Sequence, residues 1–126
     1  MPTPTSYRDL DVWQKSMKLA VAVYALTADF PKHELYGLTS QMRRAAVSVP
    51  ANIAEGRGRL YRNEFAHHAA IARGSVTELD TYLEIAIQLK YTRKAATEPA
   101  RQLADDVSRM LTMLIRALRR PKRHPE

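Results

Sequence analysis

The sequence predicts an all-α protein, folded as an antiparallel up-down-up-down bundle of four helices. Apolar residues recur at helical spacing in four segments, and short stretches that contain proline or glycine separate these segments. No segment alternates apolar and polar residues, and no Asn-Gly or Asp-Gly pair marks a hairpin. The chain has 126 residues, of which 45% are hydrophobic and 26% charged. That is the size of one domain, and four helices joined by short connections typically pack as such a bundle.

Helix 1 is expected from about Asp9 to Asp29, with Ser6 or Asp9 as its cap and Pro31 as its stop. It carries two apolar stripes, whereas a helix on the outside of a monomer needs only one. The two stripes are Leu10, Trp13, Met17, Val21 and Tyr24, and then Val12, Leu19, Val23, Leu26 and Phe30. The surplus apolar surface predicts contact with a second subunit, and deeper burial in its own bundle is the alternative.

Helix 2 is expected from about Leu38 to Arg57. Its apolar periodicity continues across Pro50, which predicts one kinked helix rather than two. Gly56 and Gly58 are expected to end it, because glycine readily adopts the left-handed conformation that follows many helices.

Helix 3 is expected to begin within a few residues of these glycines and to run to about Lys90 with a heptad repeat. Helix 4 is expected from about Arg93 to Arg119, with Thr92 as its cap and its first turns disturbed by Pro99. We expect the C-terminus of helix 4 at the end of the bundle opposite the turn between helices 2 and 3.

The bundle domain is expected over residues 8–120, between a flexible arm at 1–7 and a basic flexible tail at 121–126. The net charge of +7 and the pI near 10 favour a polyanionic partner such as RNA or DNA. Cysteine is absent, which excludes disulfides and a thiolate nucleophile. The longest apolar run has eight residues, whereas a membrane span needs about 20, and no signal-peptide pattern is visible. We therefore expect a cytoplasmic protein with no membrane partner.

The stretch from Ser40 to Arg59, SQMRRAAVSVPANIAEGRGR, carries a specific resemblance. It resembles the four-helix-bundle family named for the protein encoded in intervening sequences of bacterial 23S ribosomal RNA genes. Shorter pieces agree in order, among them Leu10-Asp11-Val12-Trp13-Gln14 and Glu64-Phe65, and the resemblance covers about residues 7–119.

The resemblance implies a bundle that assembles into a closed homo-oligomeric ring, a pentamer. The family is also similar to the accessory protein of diversity-generating retroelements, a basic pentameric barrel that associates with nucleic acid and a reverse transcriptase. The implied partners are therefore further copies of the chain, RNA or DNA, and a nucleic-acid-processing protein. The sequence departs from the family pattern at Leu60-Tyr61, where a small polar residue is expected, and at Pro99.

Basic residues cluster near the expected turn between helices 2 and 3. Arginine can bind a phosphate through two parallel hydrogen bonds, and glycine lets backbone amides approach it. A tyrosine beside them could stack on an exposed base. The candidate nucleic-acid-binding residues are Arg43, Arg44, Arg57, Arg59, Tyr61 and Arg62. The alternative is a solvated turn whose arginines pair with acids of the same or a neighbouring subunit.

Two features are candidates for subunit contacts, namely the surplus apolar surface of helix 1 and a polar line opposite the buried face of helix 2. The candidate interface residues are Val12, Trp13, Leu19, Val23, Gln41, Ser48, Asn52 and Glu55. Plain solvent exposure is the alternative for the polar line.

The sequence predicts no catalytic residue, metal or cofactor. Glu64 and His67 have the i, i+3 spacing of di-iron bundles, but such sites need two such pairs and two further glutamates. No serine lies in a nucleophile elbow, and no phosphate-binding glycine loop is present. We expect a nonenzymatic, homo-oligomeric bundle that binds structured nucleic acid, ribosomal or other RNA, through basic patches. The alternative is an oligomeric scaffold that docks a protein and has no nucleic-acid role.

Overall fold

The computed structural model describes residues 6–121, which form four α-helices. The helices are α1 Asp11–Thr27, α2 Leu38–Gly58, α3 Arg62–Gln88 and α4 Lys94–Arg119. Short 3-10 turns, Tyr7–Asp9 and Lys32–Glu34, precede α1 and α2. The described range contains no strand, and none of its helices is long and apolar enough to cross a membrane. The prediction of an all-α protein with four helices is confirmed.

Each helix packs against two others, since α1 and α3 both contact α2 and α4. The four helices surround one core, and every helix contributes to it. Its largest fully buried apolar side chains are Leu19, Val23, Met42, Val49, Ile53, Leu79, Leu83, Val107 and Leu111. The predicted arm and tail fall mostly outside the described residues. Of the arm, Ser6 accepts the Arg8 N–H at 3.1 Å and so caps the first 3-10 turn rather than α1.

The inward face of α1 differs from the sequence expectation. Val12, Leu19 and Val23 are buried in the core of the protomer, at 7%, 0% and 0% exposure, which corrects their assignment to a subunit interface. The sequence pattern misled because two polar residues, Ser16 and Thr27, lie on the same buried face. Their hydroxyls donate to the Trp13 and Val23 carbonyls of α1 itself, both at 2.8 Å, so these side chains are buried without an unpaired group.

The outward side of α1 carries the other predicted stripe. Met17, Val21 and Tyr24 are 40%, 66% and 45% exposed, whereas Trp13 is half-buried against the core. The prediction that α1 has apolar surface beyond what its own bundle buries therefore agrees with the structure. The residues that carry this surplus are those of the stripe that begins at Leu10.

Helix α2 runs unbroken through Pro50, which is itself buried, so a single helix is confirmed. The predicted left-handed cap at its end is wrong, because no glycine among the described residues has a positive φ and α2 continues through Gly58. A glycine is needed at position 56 for a reason other than helix termination. A Cβ built there would lie 2.8 Å from the His68 Cβ and 3.3 Å from the Phe65 carbonyl oxygen, so its lack of a side chain lets α2 and α3 approach closely.

The connections α1–α2 and α3–α4 meet at one end of the bundle. The Tyr91 hydroxyl donates to Glu34 Oε2 at 2.8 Å, and Glu34 Oε1 accepts the Leu38 N–H at 3.1 Å at the start of α2. Lys90, just after the cap residue of α3, has a φ of +64°, the left-handed conformation that a glycine usually takes there. The predicted Thr92 cap is wrong, since the residue at the cap position of α4 is Arg93, without a side-chain cap hydrogen bond.

Candidate nucleic-acid interface

The C-terminus of α4 lies beside the α2–α3 turn, and a single arginine joins them. Arg62, the first residue of α3, donates from Nη2 to the Ala117 carbonyl at 2.6 Å and from Nε to the Leu118 carbonyl at 3.3 Å. The last carbonyls of a helix have no partner within it, and they form its negative end. Arg62 therefore supplies both the missing donors and a favourable charge.

This contact corrects the expectation that the α4 C-terminus lies at the opposite end of the bundle. Because Arg62 begins α3 and contacts the last carbonyls of α4, the second connection and the end of the fourth helix lie together. The consequence is that the basic residues of the α2–α3 turn and those of the last turns of α4 form one surface.

An open groove between α3 and α4 lies on this surface. Its lining residues, here called the arginine groove, are Arg73, Thr112, Ile115, Arg116, Arg119 and Arg120. Arg73 Nη1 donates to Thr112 Oγ1 at 3.2 Å, which links the two helices across the groove. Within residues 6–121, no acidic residue lines it and none of its four guanidinium groups forms an ion pair. Among the described residues, the groove thus concentrates positive charge without a carboxylate partner.

Arg59 behaves differently from the groove arginines. Its guanidinium lies 2.8 Å from Glu55 Oε1 in α2 and 3.8 Å from Glu64 Oε2 in α3, with about half of the side chain exposed. The two carboxylates partly offset its charge and tie the end of α2 to the first turn of α3. The alternative weighed from the sequence, that turn arginines pair with acids of their own subunit, therefore holds for Arg59.

The remaining predicted binding residues divide between the two ends of the bundle. Arg57 is half-buried on the last turn of α2, and Tyr61 is exposed at the cap position of α3. Arg43 instead donates from Nε to Thr27 Oγ1 at 2.9 Å and lies over the Tyr24 ring, 4.6 Å from its centroid. It braces α2 against α1, roughly 20 Å along the helix from Arg57 at about 1.5 Å per residue.

Arg44, next to Arg43, is exposed in the same half of α2. The structure thus brings Arg57, Arg59, Tyr61 and Arg62 together and leaves Arg43 and Arg44 away from them. Sequence reasoning missed Arg73 and the three arginines at the C-terminus of α4, namely Arg116, Arg119 and the cap residue Arg120, as members of the same surface. The signal was present, since three arginines crowd the last turns of helix 4, but their position depended on which end of the bundle that helix reaches.

The polar line of α2 is mostly occupied within the chain. Ser48 Oγ lies 3.0 Å from Ser75 Oγ, Asn52 Nδ2 donates to Ser48 Oγ at 3.0 Å, and His68 Nδ1 lies 3.1 Å from Asn52 Oδ1. Ser48 and Asn52 therefore link α2 to α3 rather than standing free for a second subunit. Of the other predicted interface residues on this line, Gln41 is exposed and Glu55 pairs with Arg59.

The described part of the chain holds no group of three or more His, Asp or Glu side chains placed to bind a metal ion. His67 is exposed, and its ring lies edge-on to that of His68 with 5.7 Å between centroids. The arginines at this end of the molecule belong to a side-chain type that can bind anions through paired hydrogen bonds.

Comparisons with known proteins place the chain in a family. The family model described as 23S rRNA-intervening sequence protein matches residues 8–113. A crystal structure of a protein with unknown function, from the S23 ribosomal protein family of Bacteroides thetaiotaomicron, has a TM-score of 0.74 and 23% identity to this chain. The match covers 82% of this chain and 97% of that chain, and supports the fold. No curated protein matches the sequence. Because the family model spans most of its length, this chain belongs to the 23S rRNA-intervening sequence protein family.

Proposed function

We propose that the protein is a nonenzymatic binder of structured nucleic acid, and that the end of the bundle bearing the arginine groove contacts the phosphate backbone. One observation carries this proposal: the C-terminus of α4 meets the α2–α3 turn, from which it is distant in sequence, and the groove between α3 and α4 extends this basic surface to Arg73 in the middle of α3. Guanidinium groups bind phosphate oxygens bidentately, and such contacts supply most of the affinity of nucleic-acid binding. The net charge of +7 acts in the same direction.

The proposal assigns different roles to the arginines of this surface. The four groove arginines bind phosphates, because they have no carboxylate partner within residues 6–121. Arg62 and Arg59 position the surface, since one holds the end of α4 and the other closes the α2–α3 turn. Because phosphate contacts carry no sequence information, this surface by itself selects charge and backbone spacing.

We further propose that the bundle is antiparallel and that several copies form a ring, a homopentamer in the cytoplasm. The contact pairs support the antiparallel arrangement. Ser48 of α2 contacts Ser75 of α3, whereas Asn52, one turn later in α2, contacts His68, which comes earlier in α3. Residue numbers therefore increase in opposite directions along the two helices. The exposed apolar side of α1 supports the assembly, and a chain without cysteine suits a reducing compartment. A ring would multiply the arginine groove and raise avidity.

The proposal is tested by measuring the affinity of the full chain for a ribosomal RNA hairpin at constant salt. We expect Arg73→Ala with Arg119→Ala to weaken binding on the order of tenfold. The control removes the same charge from the other end of the bundle, with Lys32→Ala and Arg93→Ala, and is expected to bind nearly as the original chain does. Equal losses in the two double variants would contradict a localised site. Undetectable binding would favour the protein-docking scaffold instead.

A further inference from the structure

The α2–α3 turn presents two adjacent large side chains that the bundle does not use. Leu60 is 91% exposed and Tyr61 66%. Neither belongs to the core or to the partly buried residues packed against it. We call this pair the Leu60–Tyr61 wedge.

The backbone around the wedge is held on both sides. The Arg59 N–H donates to the Gly56 carbonyl at 3.2 Å, and the Phe65 N–H donates to the Tyr61 carbonyl at 3.1 Å. The ion pairs of Arg59 with Glu55 and Glu64 span the same turn. The two exposed side chains therefore stand on a fixed support, which lowers the entropy that a ligand would have to remove on binding.

Tyr61 also occupies a position where local stability favours a different residue. It is the N-cap of α3, with extended backbone angles (φ −116°, ψ 139°) and no side-chain cap hydrogen bond. Glu64 follows at the third helical position, so a serine at position 61 would complete a capping box. A large aromatic in place of a capping residue is a local conflict of the kind that is found at functional sites.

The surroundings of the wedge select the chemistry of its ligand. Arg59 and Arg62 flank it in sequence, and Arg62 joins it to the end of α4, where the arginine groove begins. A ligand that matches both features has flat apolar faces within a dense negative charge. Unpaired nucleotides beside a duplex have this combination, because their bases stack on aromatic side chains while their phosphates meet arginine.

We propose that the Leu60–Tyr61 wedge stacks on bases that are unpaired, at a bulge or loop next to the helix whose phosphates lie in the arginine groove. This inference rests on the proposed nucleic-acid binding and adds a preference within it. Tyr61 supplies the flat surface for one base, and Leu60 fills the space beside it, as apolar side chains do when they separate base steps. The proposed ligand is thus an RNA duplex interrupted by unpaired nucleotides.

The test compares two RNA hairpins of equal phosphate number, one fully paired and one with a 2-aminopurine in a single-nucleotide bulge. We expect the original chain to bind the bulged hairpin on the order of tenfold more tightly, with a change in 2-aminopurine fluorescence. Leu60→Ser with Tyr61→Ser is expected to bind both hairpins equally, with the salt dependence unchanged. The same double variant is expected to unfold at a higher temperature, since it gains a cap and loses no core contact. Tyr61→Phe is the conservative control, and keeps the preference because it keeps the ring.

The outcomes separate the two proposals. Tight binding of both hairpins without a preference, or a preference that survives in the double variant, overturns the wedge and leaves the phosphate surface standing. Binding of neither hairpin overturns the proposed function and the wedge with it. Wedge-dependent binding to anionic phosphatidylserine vesicles, without a preference for the bulge, would overturn base stacking in favour of a membrane surface.

Discussion

At the scale of single residues, two glycines near the end of α2 have opposite surroundings. A Cβ at Gly56 would lie 2.8 Å from the His68 Cβ, whereas a Cβ at Gly58 would meet nothing within 4 Å. The first glycine is therefore required by the contact between α2 and α3, and the second is not required by any contact. Sequence alone treated both as helix terminators, because the helix–helix distance at this point is a property of the packed structure.

Alanine substitutions separate the two glycines. Gly56→Ala is expected to lower the free energy of unfolding by about 1 to 2 kcal/mol, because overpacking outweighs the gain in helix propensity. Gly58→Ala is the matched control and is expected to raise it by about 0.5 kcal/mol. Urea unfolding measures both. Equal stability of the two variants would show that α2 and α3 do not approach so closely.

Glu34 is the residue whose ionised carboxylate links the two connections at the other end of the bundle. The Leu38 N–H and then the Tyr91 hydroxyl donate to its carboxylate, and they lower its pKa from the usual 4.5. A carboxyl whose pKa is lower in the folded chain than in the unfolded chain stabilises the fold above the unfolded pKa. That stabilisation is lost as the pH falls through the folded pKa.

The expected result is a difference between acid unfolding profiles. The original chain should lose more stability below about pH 4.5 than Glu34→Gln, which cannot titrate. Tyr91→Phe removes one of the two donors and should give an intermediate profile. Thermal unfolding as a function of pH measures all three, and parallel profiles for the original chain and Glu34→Gln would refute a role for this carboxylate.

At the scale of the elements, the helix spans follow from the sequence to within about two residues. Periodicity and proline placement mark them, as Pro31 does after α1 and the unbroken pattern around Pro50 does in α2. Which face of α1 points into the core could not be read from the sequence pattern in the same way. Ser16 and Thr27 count as polar in a pattern, yet their hydroxyls are satisfied by their own helix and they line the core.

Only part of the candidate site was predictable from the sequence, namely the part that a short turn brings together. Arg57, Arg59 and Arg62 are brought together by a short turn, and short range is what a sequence specifies well. Arg43 is held by Tyr24 and Thr27 of another helix, and that pairing depends on how α1 and α2 pack. The arginine groove depends on the contact between α3 and α4 in the same way.

The exposed side of α1 leads to a prediction about assembly. Val21 is 66% exposed and Val23 is fully buried, although both belong to apolar stripes of one helix. Val21→Glu is expected to keep its helical content and to shift the mass in solution to that of a single 14.3 kDa chain. Val23→Glu is expected to unfold, because it buries an unpaired charge. Light scattering with circular dichroism distinguishes the two.

The assembly prediction has a clear contrary result. A folded Val21→Glu variant with the same oligomeric mass as the original chain would place the interface elsewhere. An original chain that is already a single 14.3 kDa species would remove the need for an interface at all.

At the scale of the whole molecule, one end of the bundle concentrates the positive charge that the sequence spreads over distant segments. The last turns of α4 are far along the chain from the α2–α3 turn and from Arg73, yet Arg62 contacts their carbonyls and Arg73 lines the same groove as their arginines. A family assignment fixes the fold and says little about function, so this surface is the main support for nucleic-acid binding. The proposed function requires that the arginines of the groove contact phosphates.

The most direct test of that claim is the affinity for a ribosomal RNA hairpin over a series of salt concentrations. Each phosphate contact releases counterions and contributes about 0.7 to 0.9 to the slope of log affinity against log salt. Arg73→Ala with Arg119→Ala is therefore expected to reduce the magnitude of the slope by roughly 1.4 to 1.8, while Lys32→Ala with Arg93→Ala leaves it unchanged. A slope for the groove variant equal to that of the original chain would contradict the account.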